Sequence, residues 1–170
     1  MKHLLSIEEL SAKDISRLLE SAAHLKLQRG REGQPLAGQT WALIFTKSST
    51  RTRVSFEVGI RELGGFPMFL SKNDIQLGRG EPIKDTARVL GRMVHGCIIR
   101  TFAQQDVIDF SSFSNIPTIN ALTDDEHPCQ VLADVMTLHE AFGSHEGRIV
   151  AWIGDGNNMA NTWLDAAASL

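Results

Sequence analysis

The stretch Ser48-Ser49-Thr50-Arg51-Thr52-Arg53 packs four hydroxyls and two guanidinium groups into six residues. Placed at the start of a helix, it would meet free backbone N–H groups and the positive end of the helix dipole, a setting that favours an anion. Ser49, Thr50 and Thr52 then add hydroxyl donors. Arg51 or Arg53 adds a planar fork suited to phosphate oxygens. Two positions apart on a helix lie about 200° around the axis, so at most one of the two arginines faces a ligand. The plain alternative is a Ser/Thr helix cap flanked by solvated arginines.

Three further groups have chemical potential. Arg100 closes the apolar run Cys97-Ile98-Ile99, so it either pairs with a structural carboxylate or points at a ligand. His127-Pro128 reads as a helix start, with proline suited to the first turn. A histidine there feels the positive helix end and should stay neutral; taken singly, it reads as a cap or loop residue. Gln130 adds an amide three residues on, and Asp155, Asn157 and Asn158 follow a later apolar run. Together, two arginines and a helix N-terminus fit a phosphate dianion, while neutral His127 and the Gln130 amide suit a small carbonyl bearing an NH2. No Ser-His-Asp order, clustered metal ligands or Walker loop competes. Gly154-x-Gly156 is a weak dinucleotide signal, since position 159 is Met rather than Gly.

These groups must be held by regular elements. Ser11, with Asp14 three residues on, opens an amphipathic helix through Ile15, Leu18, Leu19, Ala22 and Leu25, closed by Gly30 and Gly33. Trp41 to Phe45 is a strand-length apolar run without alternation, as in a strand buried on both faces. Helix and strand then alternate. A helix carries Val54, Val58 and Leu63, and a weak strand spans Phe66 to Leu70, where Pro67 favours an edge or a strand start. A helix follows Pro82, and a strand ends at Arg100. Another helix carries Val107, Ile108 and Phe110. Ile116 to Ile119 is strand-like, a helix runs from Pro128 to Phe142, a strand from Arg148 to Ile153, and a last helix through Trp163 and Leu164. The pattern predicts an α/β fold, an open and mainly parallel sheet with helices on both faces. Ligands of such sheets sit at the carboxyl ends of the strands, where all the groups above fall.

Composition narrows the class. The 170 residues carry 17 Lys+Arg against 20 Asp+Glu, a net charge of −3, with 42% hydrophobic residues. That balance suits neither a basic nucleic-acid arm nor a disordered acidic tail. No apolar run reaches the roughly 20 residues of a membrane span, and Glu8 and Glu9 interrupt what a signal peptide would need to be apolar. Cys97 and Cys129 form no metal spacing or disulfide framework, which predicts a reducing, cytoplasmic setting. His3, His24, His139 and His145 read as surface or packing residues.

The ordered motifs resemble those of the aspartate/ornithine carbamoyltransferases. They are Phe45-Thr46-Lys47-Ser48-Ser49-Thr50-Arg51-Thr52-Arg53-Val54-Ser55-Phe56-Glu57, Asp74-Ile75-Gln76-Leu77-Gly78 and Ile83 to Leu90. After these come Ile99-Arg100-Thr101-Phe102, His127-Pro128-Cys129-Gln130 and Ile153-Gly154-Asp155-Gly156-Asn157-Asn158. The last segment favours the ornithine branch. The resemblance implies that Ser49, Thr50, Arg51 and Thr52 hold the phosphate of carbamoyl phosphate. It implies that Arg100, His127 and Thr52 hold the carbamoyl oxygen and stabilise charge developing there. Gln130 would fix the carbamoyl NH2, Asn158 would contact ornithine, and Gln76 would reach a neighbouring subunit's site in a homotrimer or multiple of trimers. The implied reaction is attack by the uncharged δ-amine of L-ornithine on carbamoyl phosphate, giving L-citrulline and phosphate in arginine biosynthesis. No metal or organic cofactor, nucleic acid or membrane is expected. Thr46 departs from the acid common in the ornithine branch, which bears on charge balance near Arg51. The family's later Asp-x-x-x-Ser-Met-Gly and His-Cys-Leu-Pro segments do not occur in these residues. The expected division is therefore residues 1–145 as the carbamoyl-phosphate-binding domain and 146–170 as the start of the ornithine-binding domain. A catalytically silent phosphate-binding or assembly module, or a family member using another acceptor such as putrescine, would carry the same motifs.

Overall fold

The run after Gly38 becomes strand β1 (Thr40–Phe45), and its burial on both faces follows from its place between two neighbours. It pairs in parallel with β2 (Phe66–Ser71) on one side and β3 (Gly96–Arg100) on the other, and β3 pairs with β4 (Thr118–Leu122). The sheet order is β2-β1-β3-β4. In this computed structural model residues 3–31, 33–73 and 75–170 are described, the side chains of Gly78 and Arg79 excepted. Asp74, in the Asp74–Gly78 motif, lies outside them.

Helices α1 (Ala12–Leu27), α2 (Arg51–Glu62), α3 (Ile83–Leu90), α4 (Gln104–Ser114), α5 (Pro128–Phe142) and α6 (Asn158–Ser169) complete the fold. Strand alternation divides them. Ala42, Ile44, Cys97 and Ile99 face Ala87 of α3 and Val107 and Phe110 of α4. Leu43, Phe45 and Ile98 face Phe56 and Ile60 of α2. A third cluster joins Ile15 and Leu19 of α1, Val131 and Val135 of α5 and Ala166 of α6. Each fully buried Leu or Ile contributes roughly 1.5–3 kcal/mol, so the central strands anchor both layers. This is the open parallel α/β sheet with helices on both faces that the periodicity predicts. Pro67 sits on the edge strand, as its missing N–H requires.

Three local readings change. The apolar run from Arg148 to Ile153 forms no strand: Ile149 is 97% and Ile153 96% exposed. A strand needs a ladder partner for its backbone groups, and among the described residues this run has none. β4 begins two residues later than the Ile116–Ile119 reading and runs through Asn120 to Leu122. Pro117 contributes only a carbonyl, taken by the Cys97 N–H at 2.8 Å. Finally, α1 stops at Leu27, ahead of Gly30 and Gly33.

Candidate anion-binding site

The chain leaves β1 toward β2 in one direction and continues from β3 to β4 in the other, so a crevice opens between the carboxyl ends of β1 and β3. Phe45 and Arg100 are register partners at that edge. The hydroxyl- and arginine-rich stretch follows Phe45 directly and becomes the first turn of α2. Thr50 occupies the N-cap yet makes no side-chain cap bond, and no acid lies in the first turn. The helix end is thus left open and electropositive. The two arginines separate as expected. Arg53 pairs with Glu57 at 2.8 Å and stacks 3.4 Å over the Phe69 ring. Arg51 is exposed and, among the described residues, has no ion pair.

Arg100 is aimed by an irregularity. The β3–β4 register shifts between Ile99, opposite Asn120, and Arg100, opposite Leu122. Such a bulge turns a side chain away from the regular pleat. The guanidinium Nε is buried with no hydrogen-bond partner, and burial lowers the pKa of the group. Among the described residues it pairs with no carboxylate, the first of the two possibilities open to a strand-end arginine.

His127, the N-cap of α5, repeats the pattern. Its Nδ1 is buried without a partner, and no side-chain cap bond forms. Burial first, and the Arg100 charge second, push its pKa down to about 4. The imidazole is neutral near pH 7, as expected from the sequence, but burial and Arg100 produce that state. Unpaired buried polar atoms cost about 1–3 kcal/mol each, so two in one crevice point to a polar ligand. Gln130 is exposed one turn along, its amide nitrogen donating to Asp134 Oδ1 at 2.8 Å, which leaves its carbonyl oxygen open.

The crevice walls are tied by short bonds. Thr46 Oγ1 meets Thr101 Oγ1 at 3.0 Å, and Thr101 Oγ1 donates to Asp106 at 3.1 Å. Lys47 pairs with Asp124 and lies 4.7 Å from the Phe102 ring centroid. The counter-charge that Thr46 does not supply beside Lys47 thus comes from the loop before α5. Ser49 and Thr52 are half-buried and Thr50 is exposed. Gln76 is exposed on a 3-10 turn (Gln76–Arg79) and makes no hydrogen bond to Arg100 or His127. Asn158 donates its amide to Thr123 O at 2.7 Å, so it braces the loop before His127. Sequence reasoning missed Glu126 and Thr162, which bond around His127 from 36 residues apart; nothing in their spacing signals it. An apolar groove of about 490 Å3 between α6 and residues 145–152, lined by Val150, Trp152, Trp163 and Leu164, shares no lining residue with the crevice. Among the described residues no three His, Cys, Asp or Glu side chains are grouped to hold a metal ion. Among the same residues no helix is long and apolar enough to cross a membrane.

Comparison with known proteins places the chain in a family. The family described as aspartate/ornithine carbamoyltransferase, carbamoyl-P binding domain, matches residues 2–140. The ornithine carbamoyltransferase of Akkermansia muciniphila is 64% identical over 174 positions, covering 100% of this chain and 57% of that protein. That of Pelobacter propionicus is 53% identical, covering 98% and 55%. The crystal structure of ornithine carbamoyltransferase from Burkholderia thailandensis superposes with a TM-score of 0.94 at 47% identity, covering 99% of this chain and 59% of that one. The enzyme from Pyrococcus furiosus gives 0.93 at 44%, covering 97% and 53%. The chain spans a little over half the length of these relatives. Motif order, sheet order and relatives converge, and the chain belongs to the aspartate/ornithine carbamoyltransferase family through its carbamoyl-phosphate-binding domain.

Proposed function

We propose that this chain binds carbamoyl phosphate in the β1–β3 crevice and serves the transfer of its carbamoyl group to the δ-amine of L-ornithine, giving L-citrulline and phosphate. The observation that carries the reading is the pair of buried, partnerless polar atoms, Arg100 Nε and His127 Nδ1, together with the uncapped helix that follows β1, the register neighbour of Arg100. In this reading the α2 N–H groups, Ser49, Thr50, Thr52 and Arg51 take the phosphate dianion. The carbamoyl oxygen lies between Arg100, Thr52 and neutral His127. As the amine attacks, negative charge grows on that oxygen, and preplaced donors stabilise it most there. Phosphate leaves with the C–O bonding pair toward the α2 end. The open Gln130 carbonyl oxygen accepts from the carbamoyl NH2. The amine must be uncharged to attack, so the rate rises as pH climbs above neutral.

The same reading includes contact of Asn158 with ornithine, a homotrimer in which Gln76 serves a neighbour, a cytoplasmic role in arginine biosynthesis, and the division at residues 1–145 and 146–170. Support for that division is the stretch 146–157, which has neither helix nor strand. The carbamoyl specificity is tested by a 31P NMR titration against acetyl phosphate, which replaces the NH2 with a methyl. Carbamoyl phosphate should bind more tightly, and the Gln130→Leu variant should lose that preference. Equal affinity for the two acyl phosphates in the wild type would defeat the reading.

A further inference from the structure

The loop before α5 is held from α6 by several hydrogen bonds. His127 donates its backbone N–H to Thr162 Oγ1 at 2.9 Å. Thr162 Oγ1 also lies 2.6 Å from Asn158 O and 3.3 Å from Glu126 Oε2. A hydroxyl has one proton, so it donates to one of these two acceptors at a time. Glu126 is buried, takes the Ser6 hydroxyl at 3.1 Å, and has its own N–H on Thr123 Oγ1 at 3.0 Å. Asn158 on Thr123 O and Asn161 on Asp125 O, at 2.7 and 3.4 Å, complete the grip.

We propose that Thr162 is a positioning residue for His127, and that Glu126 sets the direction of the Thr162 hydroxyl and so makes the placement of His127 proton-dependent. This rests on the carbamoyl phosphate reading of the crevice. With Glu126 neutral, the Thr162 proton stays on the shorter bond to Asn158 O, and a lone pair faces the His127 N–H. With Glu126 ionised, the carboxylate competes for that proton and the hydroxyl turns. The groups facing Glu126 are Asp165 from α6, the Ser6 hydroxyl from the N-terminal segment, the Thr123 hydroxyl from its own loop and neighbouring His127. Burial and hydrogen bonding with Asp165 raise Glu126 to about 7, so the turn falls in the neutral range. His127, at about 4, stays neutral throughout that range.

The test uses the 170-residue chain with carbamoyl phosphate as titrant at pH 6 and pH 8, alongside the 15N resonances of the His127 amide and ring. Thr162→Val should weaken binding roughly three- to tenfold, the size of one net hydrogen bond, and shift both His127 resonances. Thr162→Ser should restore both. Wild type and Glu126→Gln should bind alike at pH 6 and diverge at pH 8, with the wild type weaker. Thr162→Val binding like the wild type, or Thr162→Ser failing as Thr162→Val does, would overturn the proposal. Should Thr162→Val not fold, coincident wild-type and Glu126→Gln affinities at both pH values would overturn it as well. If the wild type binds no carbamoyl phosphate, the binding reading fails alone, and the His127 resonances still decide the positioning.

Discussion

Two helices of this chain start from similar residues and end up in opposite states. At α1 the Ser11 hydroxyl takes the Asp14 N–H at 3.2 Å, and Asp14 Oδ2 takes the Ser11 N–H at 3.3 Å, a complete capping box. At α2 the preceding Ser48-Ser49-Thr50 could cap as well, yet no side chain does, and arginines stand where acids would satisfy the dipole. The α1 box closes an exposed surface helix upon itself. The α2 end follows β1 where strand order reverses, and the buried Arg100 Nε and His127 Nδ1 are also unpaired. The contrast separates a helix end satisfied within the fold from one whose donors remain available for an anion.

The largest expected effect tests the third helix end, that of α5. His127, lowered to about 4, contributes stability that is present above the unfolded value near 6.5 and is lost as pH falls. Glu126, raised to about 7, contributes stability that is present below about 4.5 and is lost as pH rises. Between about 4.5 and 6.5 the two slopes oppose each other. Glu126→Gln removes one of them, so urea unfolding should show stability climbing by on the order of 2–3 kcal/mol from pH 4 to 6.5. A curve as flat as the wild type's would break the assignment of these two groups.

Next in size, Arg51→Ala should weaken carbamoyl phosphate binding by about 1.5–3 kcal/mol, a charge-assisted hydrogen bond, while thermal unfolding stays within about 0.5 kcal/mol of wild type. Ser11→Ala should do the reverse, costing about 1 kcal/mol of stability and leaving affinity unchanged. The smallest effect sharpens the contrast: Thr50→Ala, at a cap position that makes no cap bond, should change stability by less than about 0.5 kcal/mol. A Thr50 cost equal to that of Ser11 would erase the difference between the two ends.

Much of this was legible in the sequence because its causes are local. The Ser11–Asp14 spacing writes the α1 box, Pro67 narrows its strand to an edge or a strand start, and Pro128 writes the start of α5. The approach of Arg100 to His127 was legible through strand-end placement. What was not legible depends on partners distant in sequence. Cys97-Ile98-Ile99 and Ile149 to Ile153 look alike as apolar runs, yet the first is buried between β1 and β4 and the second is exposed. An apolar run states a need for partner strands and says nothing about their presence. The Arg100 bulge, the Lys47–Asp124 pair and the Thr162 grip on His127 likewise join residues far apart in the chain.

Arg100 Nε is buried with no hydrogen-bond partner among the described residues, which leaves the guanidinium open to a ligand. Isothermal titration of carbamoyl phosphate into the 170-residue chain and into its Arg100→Ala variant, with circular dichroism on both, tests it most directly. Saturable one-site binding to the wild type is expected, weakened at least about tenfold in a variant that keeps its fold. Equal affinity in the two folded proteins would contradict it.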